Sequence, residues 1–226
     1  MPNAALFEQI AHDLQQQGYS VIDNALPHAL CLSLYQLASS QQKFKKAGIG
    51  RADQHSVNNT IRSDSIRWIE GNATDEIPWL NFTDALKQYL NRRLFLGLDY
   101  YESHFAHYAI GAFYQKHLDA FVGKSNRVLS TVFYLNPDWQ ADWGGELVMY
   151  NNSDQPLLTI SPTMGRLVIF LSEEFPHEVK PASHNRYSIA GWFSFESRFF
   201  FCETVNTFAS FGSWLFHGVN FQQAWQ

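Results

Sequence analysis

The sequence predicts a mainly β domain with flanking helices, of sandwich, barrel or jelly-roll type. Two observations carry this expectation. Alternating or β-branched runs at 101–110, 127–135, 146–150, 157–160, 166–171, 178–180 and 187–195 are separated by Gly, Pro, Asn or Asp, the spacing of short strands in a layered or closed β fold. The first third instead repeats its apolar residues at helical spacing, so helices are expected to buttress one face of the strands.

The elements follow in order. Leu6, Ile10 and Leu14 define a first helix, Gly18 ends it, and residues 19–22 read as a short strand. Pro27 suits a first helical turn, and Leu30, Leu34 and Leu37 supply the apolar stripe of a second helix. From 47 to 59 the pattern dissolves into glycine and polar residues, which predicts a long connection of the kind that often carries function. A third helix is expected over 78–93 through Trp79, Phe82, Leu86 and Leu90, ending before Gly97.

At 226 residues the length suits one domain. Its expected parts are helical support and a connecting loop at 1–95, a β core at 96–198, and an aromatic-rich extension at 199–226. The extension contains Phe208, Phe211, Trp214 and Trp225, to which no role is assigned. With 46% hydrophobic, 16% aromatic and 16% charged residues, a compact core is favoured over a disordered chain. A net charge of −5 leaves only the small cluster of Lys43, Lys45 and Lys46, so nucleic acid is not an expected partner. Cys31 and Cys202 are the only cysteines, and neither a leader pattern nor a run of ~20 apolar residues is present. The expected location is a reducing cytoplasm, with no membrane partner.

Of the nine histidines, only His117 is followed two places later by a carboxylate, Asp119. In extended chain such a pair points one way and can converge on a metal. Alone the pattern is weak. His177, at the start of a later strand, supplies the third ligand required by a two-histidine, one-carboxylate facial triad, which leaves coordination positions open. Arg186 follows nine residues on, with Pro181, Ser183 and Asn185 between, so the chain is expected to turn and set it on the neighbouring strand. A guanidinium facing an apolar interior needs a partner, and the distal carboxylate of 2-oxoglutarate could be gripped through two parallel hydrogen bonds. An outward surface ion pair is the plainer alternative. Tyr134 and Val132 share a strand face, and Tyr108 lies on the strand leading to the metal pair; facing inward, they would wall a co-substrate pocket, or else simply fill the core. Gly144-Gly145-Glu146 reads as a tight turn feeding a strand, and Trp192 as an aromatic filler.

Together these residues resemble a known family. Tyr108-x-x-Gly111-x-x-Tyr114-x-x-His117-x-Asp119, Tyr134-Leu135-Asn136, Gly144-Gly145-Glu146-Leu147, Gly165, His177-Glu178-Val179-x-Pro181 and Arg186 stand in the order and spacing of prolyl 4-hydroxylases. Arg62-Ser63-Asp64-Ser65-Ile66-Arg67-Trp68 and Arg186-Tyr187-Ser188-Ile189 are similar to the oxygen-sensing branch, as is arginine rather than lysine at 186. The resemblance implies a double-stranded β-helix, or jelly-roll, core. It also implies iron(II) on His117, Asp119 and His177, and 2-oxoglutarate on Arg186, Tyr134 and Tyr108, with Leu147 and Trp192 lining the pocket. Arg62 and Asp64 would flank a substrate-covering loop at 47–64.

The implied activity is a dioxygenase reaction using O2 and turning 2-oxoglutarate into succinate and carbon dioxide, with ascorbate as a stimulant. The implied substrate is a proline in a protein, and bacterial relatives point to an elongation factor of the Tu type. Hydroxylation of a free amino acid or other small metabolite stays open as an alternative. A cupin-like metal protein without oxygenase activity would leave Arg186 and the tyrosines unexplained.

Overall fold

A computed structural model describes residues 3–40, 44–47, 60–120 and 126–195. Three α-helices and eleven strands are found among the described residues. Most of the 47–59 connection and all of the 199–226 extension lie outside them.

Helix α1 (Ala4–Gln17) runs through Gly18 into β1 (Tyr19–Ile22), burying Phe7, Ile10 and Leu14. Helix α2 (His28–Ser40) begins one residue after Pro27, whose carbonyl accepts from the Leu30 and Cys31 N–H groups at 2.9 and 3.1 Å. The proline therefore precedes the first turn instead of joining it. After the two-residue β2 (Lys45–Lys46) and β3 (Ser65–Trp68) comes α3 (Ile77–Leu94).

Eight further strands complete the fold: β4 (Tyr100–Tyr108), β5 (Tyr114–His117), β6 (Arg127–Tyr134), β7 (Leu147–Tyr150), β8 (Pro156–Ile160), β9 (Leu167–Leu171), β10 (His177–Val179) and β11 (Arg186–Ser194). Strands β2, β3 and β5 were not among the predicted runs. β5 is Tyr-Gln-Lys-His, too polar to show alternation, and is held by pairing with β10.

All pairings between these strands are antiparallel, in a seven-stranded sheet ordered β1-β9-β6-β11-β4-β3-β2 and a four-stranded sheet ordered β5-β10-β7-β8. Period-two alternation gives the larger sheet two distinct faces. One face presents Phe105, Leu129, Phe133, Ile169, Ile189 and Phe193 to the helices, where Trp79 of α3 stacks on Phe133 at 5.2 Å. The other presents Ala106, Tyr108, Tyr134, Val168 and Phe170 towards Leu147, Met149, Ile160 and Val179 of the smaller sheet. This is the expected jelly roll buttressed by helices, with an inter-sheet space that carries the polar groups described next. No helix among the described residues is long and apolar enough to cross a membrane.

Candidate active site

Strand pairing brings the predicted metal residues together. His117 ends β5 and lies directly opposite His177, the first residue of β10. Asp119 follows two residues after β5 ends. One ligand atom from each of the three lies within 4.8 Å of the others, a spacing that a single ion can bridge. His117 thus ends a short strand of its own, which the sequence did not single out.

The local contacts also fix the chemical form of the ligands. His117 Nδ1 lies 2.8 Å from the Gln115 carbonyl and His177 Nδ1 lies 2.9 Å from that of Phe175. A carbonyl only accepts, so each Nδ1 carries the proton and each Nε2 offers a lone pair. Burial, with the adjacent His117, pushes the His177 imidazole down to about 4, so it is neutral at physiological pH. For Asp119, burial acts to raise the carboxyl, but attraction to any positive charge on the two imidazoles and the hydrogen bond from the Ser130 hydroxyl outweigh it and hold the group ionised. A neutral His177 and an ionised Asp119 are in the states a metal needs. Tyr114 stacks on His117 at 3.6 Å, and Phe170 meets His177 edge-on at 4.9 Å, which fixes both rings.

Arg186 opens β11 opposite Tyr108 of β4, in the sheet facing β10 and not beside it as expected. The surface alternative is overturned, because Arg186 is only 1% exposed. Its Nε–H donates to the Gly145 carbonyl at 2.9 Å and Nη1 reaches Ser188 Oγ at 3.4 Å, while Nη2 has no partner. Its guanidinium carbon lies 4.9 Å from the Tyr108 ring centre and 5.1 Å from that of Tyr134. The Tyr134 hydroxyl is likewise buried without a partner. Burial raises both phenols, so both remain protonated donors. A buried cation and an unpaired phenol, with no carboxylate among the described residues paired to Arg186, are costly unless a ligand anion meets them.

A cavity of about 520 Å³ runs along β4 and β11 and is lined by the metal trio and Arg186. In its lining Arg186 and Tyr108 are buried, whereas Trp68 and Tyr100 are 44% and 40% exposed. Leu147, Val132 and Trp192 line it, so Trp192 is a wall residue and not merely core filling. Arg62 and Asp64 pair with each other, Nε–Oδ1 at 2.6 Å and Nη2–Oδ2 at 2.9 Å. Arg62 also covers the Tyr114 ring at 4.7 Å, which ties this segment to the His117 stack.

Sequence reasoning missed several groups. His104 lines the cavity with both ring nitrogens buried and unpartnered, between the Trp68 and Trp192 rings at 5.1 and 5.5 Å. Arg127 lies 3.6 Å over Trp192. Ser130 donates to Asp119. The period-two rule could have found His104 from Ala106 and Tyr108, and Ser130 from Val132 and Tyr134.

The sequence pattern of the 2OG-Fe(II) oxygenase superfamily matches residues 103–194. A prolyl-4-hydroxylase structure from Pseudomonas putida is 37% identical, with 84% of this chain and 99% of that one covered and a TM-score of 0.77. This chain belongs to the 2OG-Fe(II) oxygenase superfamily. It is an enzyme of the prolyl hydroxylase-like group, whose cofactors are iron(II) and 2-oxoglutarate with O2 as oxidant. A Trichoplax adhaerens prolyl hydroxylase in complex with a hypoxia-inducible-factor oxygen degradation domain peptide is 29% identical. It covers 85% of this oxygenase and is itself covered to 90%, with a TM-score of 0.75. The hypoxia-inducible factor prolyl hydroxylase of Caenorhabditis elegans is 28% identical over 215 residues; 82% of this chain matches, but only 28% of that relative's length.

Proposed function

We propose that this oxygenase is a prolyl 4-hydroxylase acting on a proline within a protein segment, with iron(II) held by His117, Asp119 and His177 and 2-oxoglutarate by Arg186, Tyr134 and Tyr108. The observation that carries the co-substrate assignment is the unpartnered Nη2 of Arg186 beside the unpartnered Tyr134 hydroxyl, both residues being buried. When bound, iron and 2-oxoglutarate supply the oxidising chemistry, with succinate and carbon dioxide as co-products.

The chain's own residues bind and orient. Arg186 and the two phenols offer N–H and O–H donors to a carboxylate, while Leu147 and Val132 exclude water around them. The neutral His177 and ionised Asp119 require no proton transfer before binding a metal. The exposed Trp68 and Tyr100 in the lining suit a substrate that extends beyond the cavity, which favours a protein segment over a free amino acid. Arg62 and Asp64 would flank that segment. The peptide complex of the Trichoplax relative supports the same reading. A translation elongation factor of the Tu type is the first partner to test.

The test uses anaerobically purified protein with iron(II) and labelled 2-oxoglutarate, exposed to oxygen with elongation factor Tu or a proteome extract. Succinate should form together with a gain of one oxygen on a proline. Succinate formation stimulated only by free amino acids would replace the protein substrate with a metabolite.

A further inference from the structure

Asp119 is held by more than the two imidazoles. Ser130 Oγ lies 2.7 Å from Asp119 Oδ2, and Ser172 Oγ lies 2.9 Å from Ser130 Oγ. Both serines are buried. An ionised carboxylate can only accept, so the single hydroxyl proton of Ser130 goes to Asp119. The Ser130 oxygen must then accept from Ser172, which makes the pair a one-way relay ending on Oδ2. The relay crosses the inter-sheet space. Ser130 sits mid-strand on β6, opposite Trp192 of β11 and Phe170 of β9. Ser172 follows β9 and its N–H donates to the Val128 carbonyl at 3.0 Å. Asp119, by contrast, follows β5 of the smaller sheet. Oδ1 lies 3.6 Å from His117 Nε2 and Oδ2 lies 3.7 Å from His177 Nε2, both too far for a hydrogen bond, so both oxygens face the trio and Oδ2 alone is also held by a hydroxyl.

We propose that Ser130, backed by Ser172, is a positioning residue that fixes the Asp119 carboxylate so that it ligates the metal through one oxygen. The proposal rests on the reading of His117, Asp119 and His177 as the metal ligands. A carboxylate can bind a cation through one oxygen or two. Two oxygens from Asp119 plus two imidazoles would fill four positions of an octahedral ion and leave two, where a bidentate co-substrate and dioxygen need three. Committing Oδ2 to a buried hydroxyl opposes that outcome, because turning it to the metal would leave the Ser130 O–H unsatisfied.

The test uses cobalt(II) as the probe with the full chain, comparing wild type, Ser130→Ala, Ser130→Thr, Ser172→Ala and His177→Ala. Affinity is read by titration and coordination by the cobalt ligand-field spectrum, before and after 2-oxoglutarate. Ser130→Ala should still bind cobalt, but with a changed spectrum and a smaller response to 2-oxoglutarate, since a second Asp119 oxygen would occupy a position the co-substrate needs. Ser130→Thr, which keeps the hydroxyl, should recover the wild-type spectrum, and Ser172→Ala should shift it in the same direction as Ser130→Ala by less. A wild-type spectrum and a wild-type response to 2-oxoglutarate in Ser130→Ala would overturn the proposal while leaving the metal site intact. If Ser130→Ala does not fold, a wild-type spectrum in Ser172→Ala overturns it equally. Cobalt binding that is absent in wild type, or indifferent to His177→Ala, would bring down the metal assignment itself and this proposal with it.

Discussion

The Nε–H of Arg186 donates to the Gly145 carbonyl at 2.9 Å, so a turn before β7 aims the guanidinium into the cavity from the opposite sheet. Gly145 has φ +74°, and a Cβ there would meet Ala182 Cβ at 3.0 Å, Trp139 Cζ2 at 3.1 Å and Arg186 Cδ at 3.3 Å. Gly145→Ala is therefore expected to lower stability by about 1–2 kcal/mol, the cost of a left-handed conformation for an L residue. It should also raise the KM for 2-oxoglutarate several-fold. Thermal unfolding and steady-state kinetics check the two effects separately, and a loss of stability at constant KM would mean the turn supports the fold without aiming Arg186.

Arg186→Lys tests the guanidinium itself. A lysine retains charge but cannot present two parallel donors, nor donate to Gly145 while reaching a ligand. The expected result is at least a 10-fold weaker binding of 2-oxoglutarate, about 1.4 kcal/mol, measured by calorimetry on the manganese-loaded protein. Unchanged affinity would place the co-substrate elsewhere.

How far the sequence could be read depends on whether a contact is local. Strands β6, β9 and β11 were legible because their β-branched and aromatic residues alternate within one run. β5 was not, since Gln115 and Lys116 are polar and its partner β10 lies sixty residues on. The same pairing sets His117 opposite His177, so the trio could be named by residue type but its register could not be derived. The burial of Arg186 was equally invisible, because the tyrosines and Gly145 that surround it come from three other segments. Ser130 and His104 are common residue types in strands, and only their partners, or lack of them, single them out.

Replacing His117, Asp119 or His177 by alanine should abolish iron-dependent turnover of 2-oxoglutarate, to below about 1% of wild type, with the far-ultraviolet circular dichroism retained. All three lie in a cavity between sheets whose cores are formed by other residues. Substantial turnover by any one of the variants would remove that residue from the ligand set.

His104 gives the metal-free protein a pH-dependent stability of definite sign. Burial, reinforced by Arg62 and Arg127 and partly opposed by Asp119, pushes its imidazole down to about 3, against about 6.5 when unfolded. The unfolded chain binds the proton first, so the contribution of a neutral His104 is fully present above pH 6.5 and is lost as pH falls from there towards 3. His177 acts in the same direction. Urea unfolding between pH 7.5 and 4.5 should show falling stability, and His104→Gln should flatten the slope by up to about 1.4 kcal/mol per pH unit. An identical slope in the variant would mean that water or another group already serves the imidazole.

The pair of Arg62 and Asp64 allows structural and functional roles to be separated. Asp64 is 1% exposed and bonds Arg62 through both oxygens. Burial acts to lower the Arg62 guanidinium, and Asp64 outweighs this and raises it; arginine is so weak an acid that the cation persists even when this partner is removed. Asp64→Ala should therefore cost about 3 kcal/mol, chiefly from the stranded charge. Arg62→Leu combined with Asp64→Ala removes both charges and should recover at least half of that loss. Recovery of stability should not bring back proline hydroxylation. Arg62 covers Tyr114, which stacks on His117, at the point where the chain leaves the 47–59 connection, so this corner would contact the incoming substrate segment. Chemical unfolding together with the KM for the protein substrate gives both readings on the same three proteins. A double variant that regained both stability and hydroxylation would make the pair a structural brace, whereas one that regained stability alone would place it in substrate recognition.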